Sequence, residues 1–364
     1  MPNVAGSQRA MLPRRRECRH RQDGMSEDRR ALMRTVGRYA LYVIPGVGLV
    51  AAPPFVLSPH WLTVTNLALI AAVGAVALNL LVADSGQVSL GQAAFLAVGA
   101  FTVVALTLNW GTPFPIAIAA ASVAGAGLGL LVGLPSLRFQ ALYIAVTTLA
   151  LHFAVAQGVS IYQREAVGAD AALLPIPQLG PWELADPVSW YIVLVAILTV
   201  SVVAVINVKR SFIGRRWIAA ADHRLAASAL GVPVARARLE AFVFSSMLVS
   251  MAGALSAYHT GVVTALTYHL GLAISYLAMI VVGGLGSVFG AVLGAFLIVF
   301  SRFLLDEWLR AAGFGGIAGY VSGLPPLLYG MLIIVFLLLA PRGIVVGIQE
   351  VIRRRRIRDE VTVS

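Results

Sequence analysis

Charge is what this sequence has least of. Only 12% of its 364 residues are Asp, Glu, Lys or Arg, while 59% are apolar and the mean hydropathy is +0.87. A soluble domain carries about a quarter charged residues, so water cannot be the solvent for most of this chain; lipid must be. Cysteine is nearly absent too. Cys18 stands alone, which excludes an intrachain disulfide framework. Lysine occurs once, as Lys209 in "NVKRSF". A phosphate-cradling loop needs several glycines and a Lys followed by Ser or Thr, so the chain does not hydrolyse ATP by that route.

The long apolar stretches also lack the residues that chemistry would need. Only Asp84 and His152 lie in or near one of them. Ion-coupled carriers place ionisable groups inside the bilayer despite a cost of about 2.5–3.5 kcal/mol at a helix centre. Asp84 closes its stretch, where hydration is cheap, and His152 is single. This counts against a secondary carrier. The six histidines form no HExxH pair, and "GQVSLG" does not have the spacing of a GxSxG elbow. The expectation is a chain with no catalytic residue, no metal ligand and no cofactor. Unbroken apolarity, rather than alternation, excludes a transmembrane barrel. No cleavable signal is expected, because residues 1–38 are polar and basic; Met25 is as good a candidate start as Met1.

What is present is a succession of apolar segments of crossing length. They are Tyr39–Leu57, Val64–Ala83, Ala93–Leu108, Phe114–Leu134, Leu142–Val159, Trp190–Val208, Ala241–Tyr258, Leu270–Val282, Val288–Leu305 and Leu324–Leu339. Roughly 20 residues at about 1.5 Å each cross a hydrocarbon core of about 30 Å. The fold class is therefore all-α, a polytopic helical membrane bundle of about ten transmembrane helices, with eight as the alternative count. The third and eighth segments are short and glycine-bounded, so broken or re-entrant helices are expected there.

The net charge of +11 comes from arginines at both ends and in one central loop. That distribution is orientation in a membrane, not a nucleic-acid surface. Arg14–Arg16, Arg29, Arg30, Arg34 and Arg38 precede the first span, and Arg353–Arg356 and Arg358 follow the last. Residues 1–38 read as a disordered basic tail, 39–340 as the membrane domain and 341–364 as a second basic tail, both tails cytoplasmic. With ten spans the loop 209–240, rich in arginine, also falls inside, and the net-acidic loop before Trp190 falls outside. Gly125, Gly129 and Gly133, like Gly286, Gly290 and Gly294, repeat every four residues, the pattern of closely packed helix faces.

Two segments are polar where the rest is not. "DSGQVSLGQAAF" sets Asp84, Ser85, Gln87, Ser89 and Gln92 at membrane depth among glycines. Such groups are tolerated only where they line water or are buried in protein; both a pathway wall and a capped glycine turn fit. In the loop 209–240, Trp217, Ala221 and Leu225 fall one helical turn apart beside Arg215, Arg216, Asp222 and Arg224, and Gly231 and Pro233 stop the helix. Either a partner protein or the lipid headgroups suit its apolar side.

"LVADSGQVSLGQAAFLAVGAF" resembles the hallmark of branched-chain amino acid ABC transporter permeases, the M-type subunit in particular. "PSLRFQALYIAVTTLAL", "AAADHRLAASALGVPVARARLEAFVFSSMLVSMAGALSAY" and "LAMIVVGGLGSVFGAVLGAFLI" are similar to the regions that follow in that family, in the same order. The resemblance implies an importer in the cell inner membrane. A second permease chain would share the path, two cytoplasmic ABC ATPase subunits would drive it, and an extracytoplasmic substrate-binding protein would deliver to it; nucleic acid has no part. It also implies that the loop helix is the ATPase-coupling element, with Arg215, Trp217, Ala221, Asp222, Leu225, Ala226, Ala227 and Gly231 in it. "AASALG" matches the Ala-Ala-x-x-x-Gly core of the permease coupling motif. Arg224 stands where a Glu is common, Leu225 where the motif has a leading Glu, and Gln92 where a His is frequent. Urea, short amides and aromatic acids are carried by close relatives, so the same scaffold serves several substrates.

Overall fold

The computed structural model describes residues 57–136, 141–168, 170–180 and 182–311, with four further positions between 330 and 335. The first and tenth apolar segments, both tails, Cys18 and Met25 lie outside these, apart from Leu57 and those four positions. The other eight expected segments are all helical. Among the described residues seven helices are long and apolar enough to cross a membrane, and Leu270–Gly283 is a shorter apolar one.

In chain order the helices are α1 (Pro59–Asn79), α2 (Gln92–Trp110), α3 (Phe114–Ser136), α4 (Ala141–Tyr162), α5 (Pro187–Arg210), α6 (Phe212–Asp222), α7 (Arg224–Ala229), α8 (Val234–Thr260), α9 (Leu270–Gly283) and α10 (Val288–Ala311). α1 and α5 each begin on a proline, which suits the first helical turn. α2 and α8 each end on a left-handed glycine, Gly111 and Gly261. Two short ladders, Ala172–Leu173 with Val262–Val263 and Gln178–Leu179 with Trp182–Glu183, cover the end away from the basic loop. Aromatic rings gather there as well: Phe114 lies 5.0 Å from Tyr258 and 5.9 Å from Trp190 between centroids. Amphipathic rings suit the water–lipid boundary.

The centre of the bundle is α8, packed on α1, α2 and α3. Lipid supplies no hydrophobic drive between helices, so close backbone approach has to hold them. A Cβ on Gly99 would sit 1.9 Å from the Ser250 carbonyl, and one on Gly253 2.0 Å from the Leu96 carbonyl. The expected glycine face of α3 is there: Gly125 and Gly129 press on Ser250 and Ser246, and Gly133 on Leu239. Serine hydroxyls fasten the contacts, Ser245 donating to the Ala77 carbonyl and Ser250 to that of Phe95, each at 2.8 Å. The second glycine trio is not one face. Gly290 and Gly294 meet Gly283 and Met279 across the α9–α10 hairpin, but Gly286 precedes α10 in the turn, with φ +83°.

The third segment is a full-length helix, not a broken one, but what precedes it is irregular. After α1 the helix widens to π geometry over Leu80–Asp84, Ser85 ends it, and residues 86–91 are not helical. Gln92, the first residue of α2, donates to the carbonyl of Gly74 at 3.1 Å. Gly74 is ten residues before Asp84, about 15 Å along a helix, so α2 starts well short of the end of the helix that α1 and its π turn form. The segment 86–91 thus climbs back into the bundle through protein, the setting in which irregular backbone is tolerated at membrane depth.

Candidate functional site

The two polar segments singled out in the sequence meet at one end of the bundle. Gly86 faces Ala221 of α6, where a Cβ would be 3.3 Å from the alanine methyl. The Gln87 side chain donates to the Arg238 carbonyl at the start of α8, at 3.0 Å. Re-entrant segment and basic loop therefore form a single surface.

Within the re-entrant segment every polar side chain named above is buried. Burial alternates along it: Ser85, Gln87 and Ser89 are buried, while Gly86 and Val88 are exposed. Ser85 Oγ donates to the Leu81 carbonyl at 2.7 Å, and that same carbonyl accepts the Gln87 N–H at 3.2 Å. Gln87 Nε2 also donates to Ser85 Oγ at 2.8 Å, and Ser89 Oγ accepts the Gly91 N–H at 3.2 Å. Thr148 of α4 accepts the Leu90 N–H at 3.1 Å. These bonds answer the backbone groups that leaving the helix exposes.

Asp84 departs from the expectation of a hydrated helix end. It is buried, with its Oδ1 2.9 Å from the ammonium of Lys209 in the last turn of α5. Lys209 also donates to the Gly286 carbonyl at 3.0 Å. Asn79 completes the knot, accepting the Gly286 N–H and donating to the Ser287 carbonyl, each at 3.0 Å. Removing one member of a buried ion pair leaves an uncompensated charge, a cost of about 3–5 kcal/mol when burial is complete. Lys209 keeps 19% of its side chain exposed and Asp84 9%, so partial solvation reduces that figure. Lys209, Asn79 and the Gly286 turn were missed in the sequence. The available signal was that the only lysine and Asp84 occupy equivalent ends of their spans.

The basic loop is an elbow of two helices. Ser211 caps α6, its hydroxyl accepting the Gly214 N–H at 3.4 Å, and His223, outside the helical region at φ −142°, separates α6 from α7. The single stripe expected through Trp217, Ala221 and Leu225 does not form. Trp217 is buried, its ring 6.2 Å from that of Phe244 on α8. Ala227 is also buried and Ala221 half-buried. The apolar side of α6 therefore packs on the bundle itself. Arg215, Asp222 and Ala226 are exposed, and Leu225 and Leu230 project most, each 85% exposed. Gly231 follows with φ +82°, a conformation that favours glycine, and a Cβ there would meet nothing within 4 Å. Arg216 turns inward, bonding Glu240 at 3.2 Å and lying 5.1 Å over the Phe212 ring. Arg215, Arg224 and Arg236 are exposed on the same loop as the two leucines, against a single exposed acid, Asp222. The elbow thus presents two apolar knobs, Leu225 and Leu230, on a basic loop whose start also exposes Phe212 and Ile213.

Comparison with known proteins follows the same lines. The family model described as branched-chain amino acid transport system, permease component, matches residues 60–341. The high-affinity branched-chain amino acid transport system permease protein LivM of Escherichia coli (strain K12) is 27% identical over 293 residues, which cover 74% of this chain and 69% of the relative. LivM of Salmonella typhimurium (strain LT2) matches to the same extent. The autoinducer 2 import system permease protein LsrC of Enterobacter sp. (strain 638) is 30% identical over 222 residues, 56% of this chain and 61% of the relative. No solved structure matches the chain.

Proposed function

The chain belongs to the branched-chain amino acid transport system permease family, and from that premise we propose that it forms part of the translocation path of an ATP-driven importer and is moved by cytoplasmic ATPases that grip the elbow Phe212–Gly231. The observation that carries this reading is the elbow's projecting tip. Leu225 and Leu230 are large apolar side chains left bare on a charged loop, and the backbone beside Gly231 is open. Large apolar groups among charges are the composition of a protein interface. The Trp217 and Ala220 side of α6 is already committed to the bundle, while Phe212 and Ile213 at its start are exposed and suit lipid headgroups. The basic loop asks for acidic residues around the cleft that receives it. Arg215, Asp222, Ala226 and Gly231 lie on this docking face, with Leu225 its anchor; Trp217, Ala221 and Ala227 hold the elbow to the bundle.

Asp84, Ser85, Gln87, Ser89 and Gln92 serve the path indirectly. They fix the backbone of the re-entrant segment, whose exposed Val88 offers a contact to a second permease subunit. The loop 209–240 and both tails lie in the cytoplasm, and an extracytoplasmic binding protein delivers substrate at the end capped by the short ladders. ATP binding would have to shift the bundle's equilibrium by several kcal/mol to invert its populations.

Branched-chain amino acids are the substrate this reading favours, on the strength of the LivM relatives. The LsrC relative, named for autoinducer 2 import, keeps other small polar solutes in the test. With a second permease subunit, ATPases and binding protein in vesicles, uptake of labelled leucine should need ATP and be competed by isoleucine and valine. Competition by urea, short amides or aromatic acids but not by the aliphatic amino acids would reassign the substrate. Uptake that follows an ion gradient without ATP would overturn the importer itself.

A further inference from the structure

The elbow touches the re-entrant segment where Ala221 meets Gly86, and one side chain at its base, Lys209, ties it to both that segment and the α9–α10 turn. Lys209 closes α5, and Gly214 of α6 folds back onto it. A Cβ on Gly214 would lie 2.2 Å from the Val208 carbonyl and 2.6 Å from Lys209 Cα. No side chain fits between them, so α6 and the end of α5 pack as one body. The Lys209 ammonium leaves that body and is held on both sides, by Asp84 Oδ1 at 2.9 Å and the Gly286 carbonyl at 3.0 Å. Asp84 begins the re-entrant segment, and Gly286 belongs to the turn that Asn79 ties to α1.

We infer that Lys209 is a positioning residue for transport, a clasp that stays closed and carries displacement of the elbow to the re-entrant segment and the α9–α10 turn. This rests on the docking reading above. Lysine suits the place better than the arginines around it, since a compact ammonium can bond a carboxylate and a carbonyl at once from a flexible stem. A fork of five donors matches a carboxylate in the plane and would leave others unanswered in this confined space. The carbonyl of Gly286 has no helix partner to satisfy it where the turn interrupts α9 and α10, which gives the ammonium its second acceptor.

The test uses the full complex of this chain with its ATPases, second permease subunit and binding protein in vesicles. In Lys209→Met, assembly with the ATPases and basal ATP hydrolysis are expected to persist. Substrate moved per ATP should fall by about 5- to 150-fold, the usual span of coupling between two sites. The exchange Asp84→Lys with Lys209→Asp should recover part of that ratio. A pair that needs no new ion pairing gives a second measurement: Asp84→Cys with Lys209→Cys in a Cys18→Ser background, bridged by a reducible thiol cross-linker. The bridged complex is expected to transport as the parent does, and the same complex after reduction to be uncoupled.

Lys209→Met transport per ATP at the parent level would overturn the inference, as would a bridged complex that cannot transport, because the clasp would then have to open. Failure of all these variants to accumulate would mark a brace needed only for folding, and would overturn it too. The docking reading fails separately: Gly231→Trp with normal transport removes it whatever Lys209 does, whereas uncoupling by Gly231→Trp with an indifferent Lys209 removes only the clasp.

Discussion

Replacing Gly231 by tryptophan is expected to leave the chain folded and ATP hydrolysis by its partners running, while uptake collapses. Gly231 sits at the outer corner of the elbow, next to Leu230, with no neighbour within 4 Å of where a side chain would start. The first carbon of the new side chain displaces nothing among the described residues. Some backbone strain arises from φ +82°, but the corner is exposed and can relax. A partner that closes over Leu225 and Leu230 meets the ring directly. Losses at the centre of a protein interface run to about 2–4 kcal/mol, which is roughly 30- to 1,000-fold in occupancy. The measurement is uptake and ATP hydrolysis side by side on the reconstituted complex. Uptake unchanged within error would mean that this corner is not gripped.

The second large effect concerns the bundle. Gly99→Leu is expected to prevent accumulation of the chain in the membrane, and Gly127→Leu to leave it unchanged. Both glycines lie on spanning helices, and hydropathy does not separate them. At Gly99 the first side-chain carbon would already lie 1.9 Å from the Ser250 carbonyl, whereas at Gly127 nothing comes within 4 Å. Overfilling a packed interior costs about 1–3 kcal/mol. Here the obstacle is backbone on the central helix, so α2 and α8 would have to part along their length. The total stability of a domain is only about 5–15 kcal/mol. Membrane accumulation by immunoblot and thermal melting in detergent would follow the two variants. Equal behaviour of both would show that the α2–α8 contact does not hold the bundle together.

How far these features were legible in the sequence depended on whether they are local. Gly125, Gly129 and Gly133 repeat within one uninterrupted helix, and their common face was readable because four residues return to the same side. Gly286 has the same spacing from Gly290 and Gly294 but stands before the helix starts, and spacing carries no information about where a helix begins. Trp217 was readable as apolar and helical, but periodicity gives a side and not its cover. The cover turned out to be Phe244 of the same chain. His223 carries no glycine or proline, so the break between α6 and α7 had no punctuation to mark it. Asp84 and Lys209 are 125 positions apart, and only tertiary packing brings them to 2.9 Å. The re-entrant course of 86–91 was half visible: polar residues at membrane depth had to be buried or wet, and the fold buries them.

The account depends most on which side of the membrane receives the elbow. A single cysteine at the exposed position Leu225, in a Cys18→Ser background, would be challenged in intact spheroplasts with a membrane-impermeant maleimide and again after permeabilisation. Labelling only after permeabilisation is the predicted result, with protection when the ATPases are bound. Labelling in the intact spheroplasts would place the elbow outside, beyond the reach of any cytoplasmic motor, and would contradict the mechanism at its root.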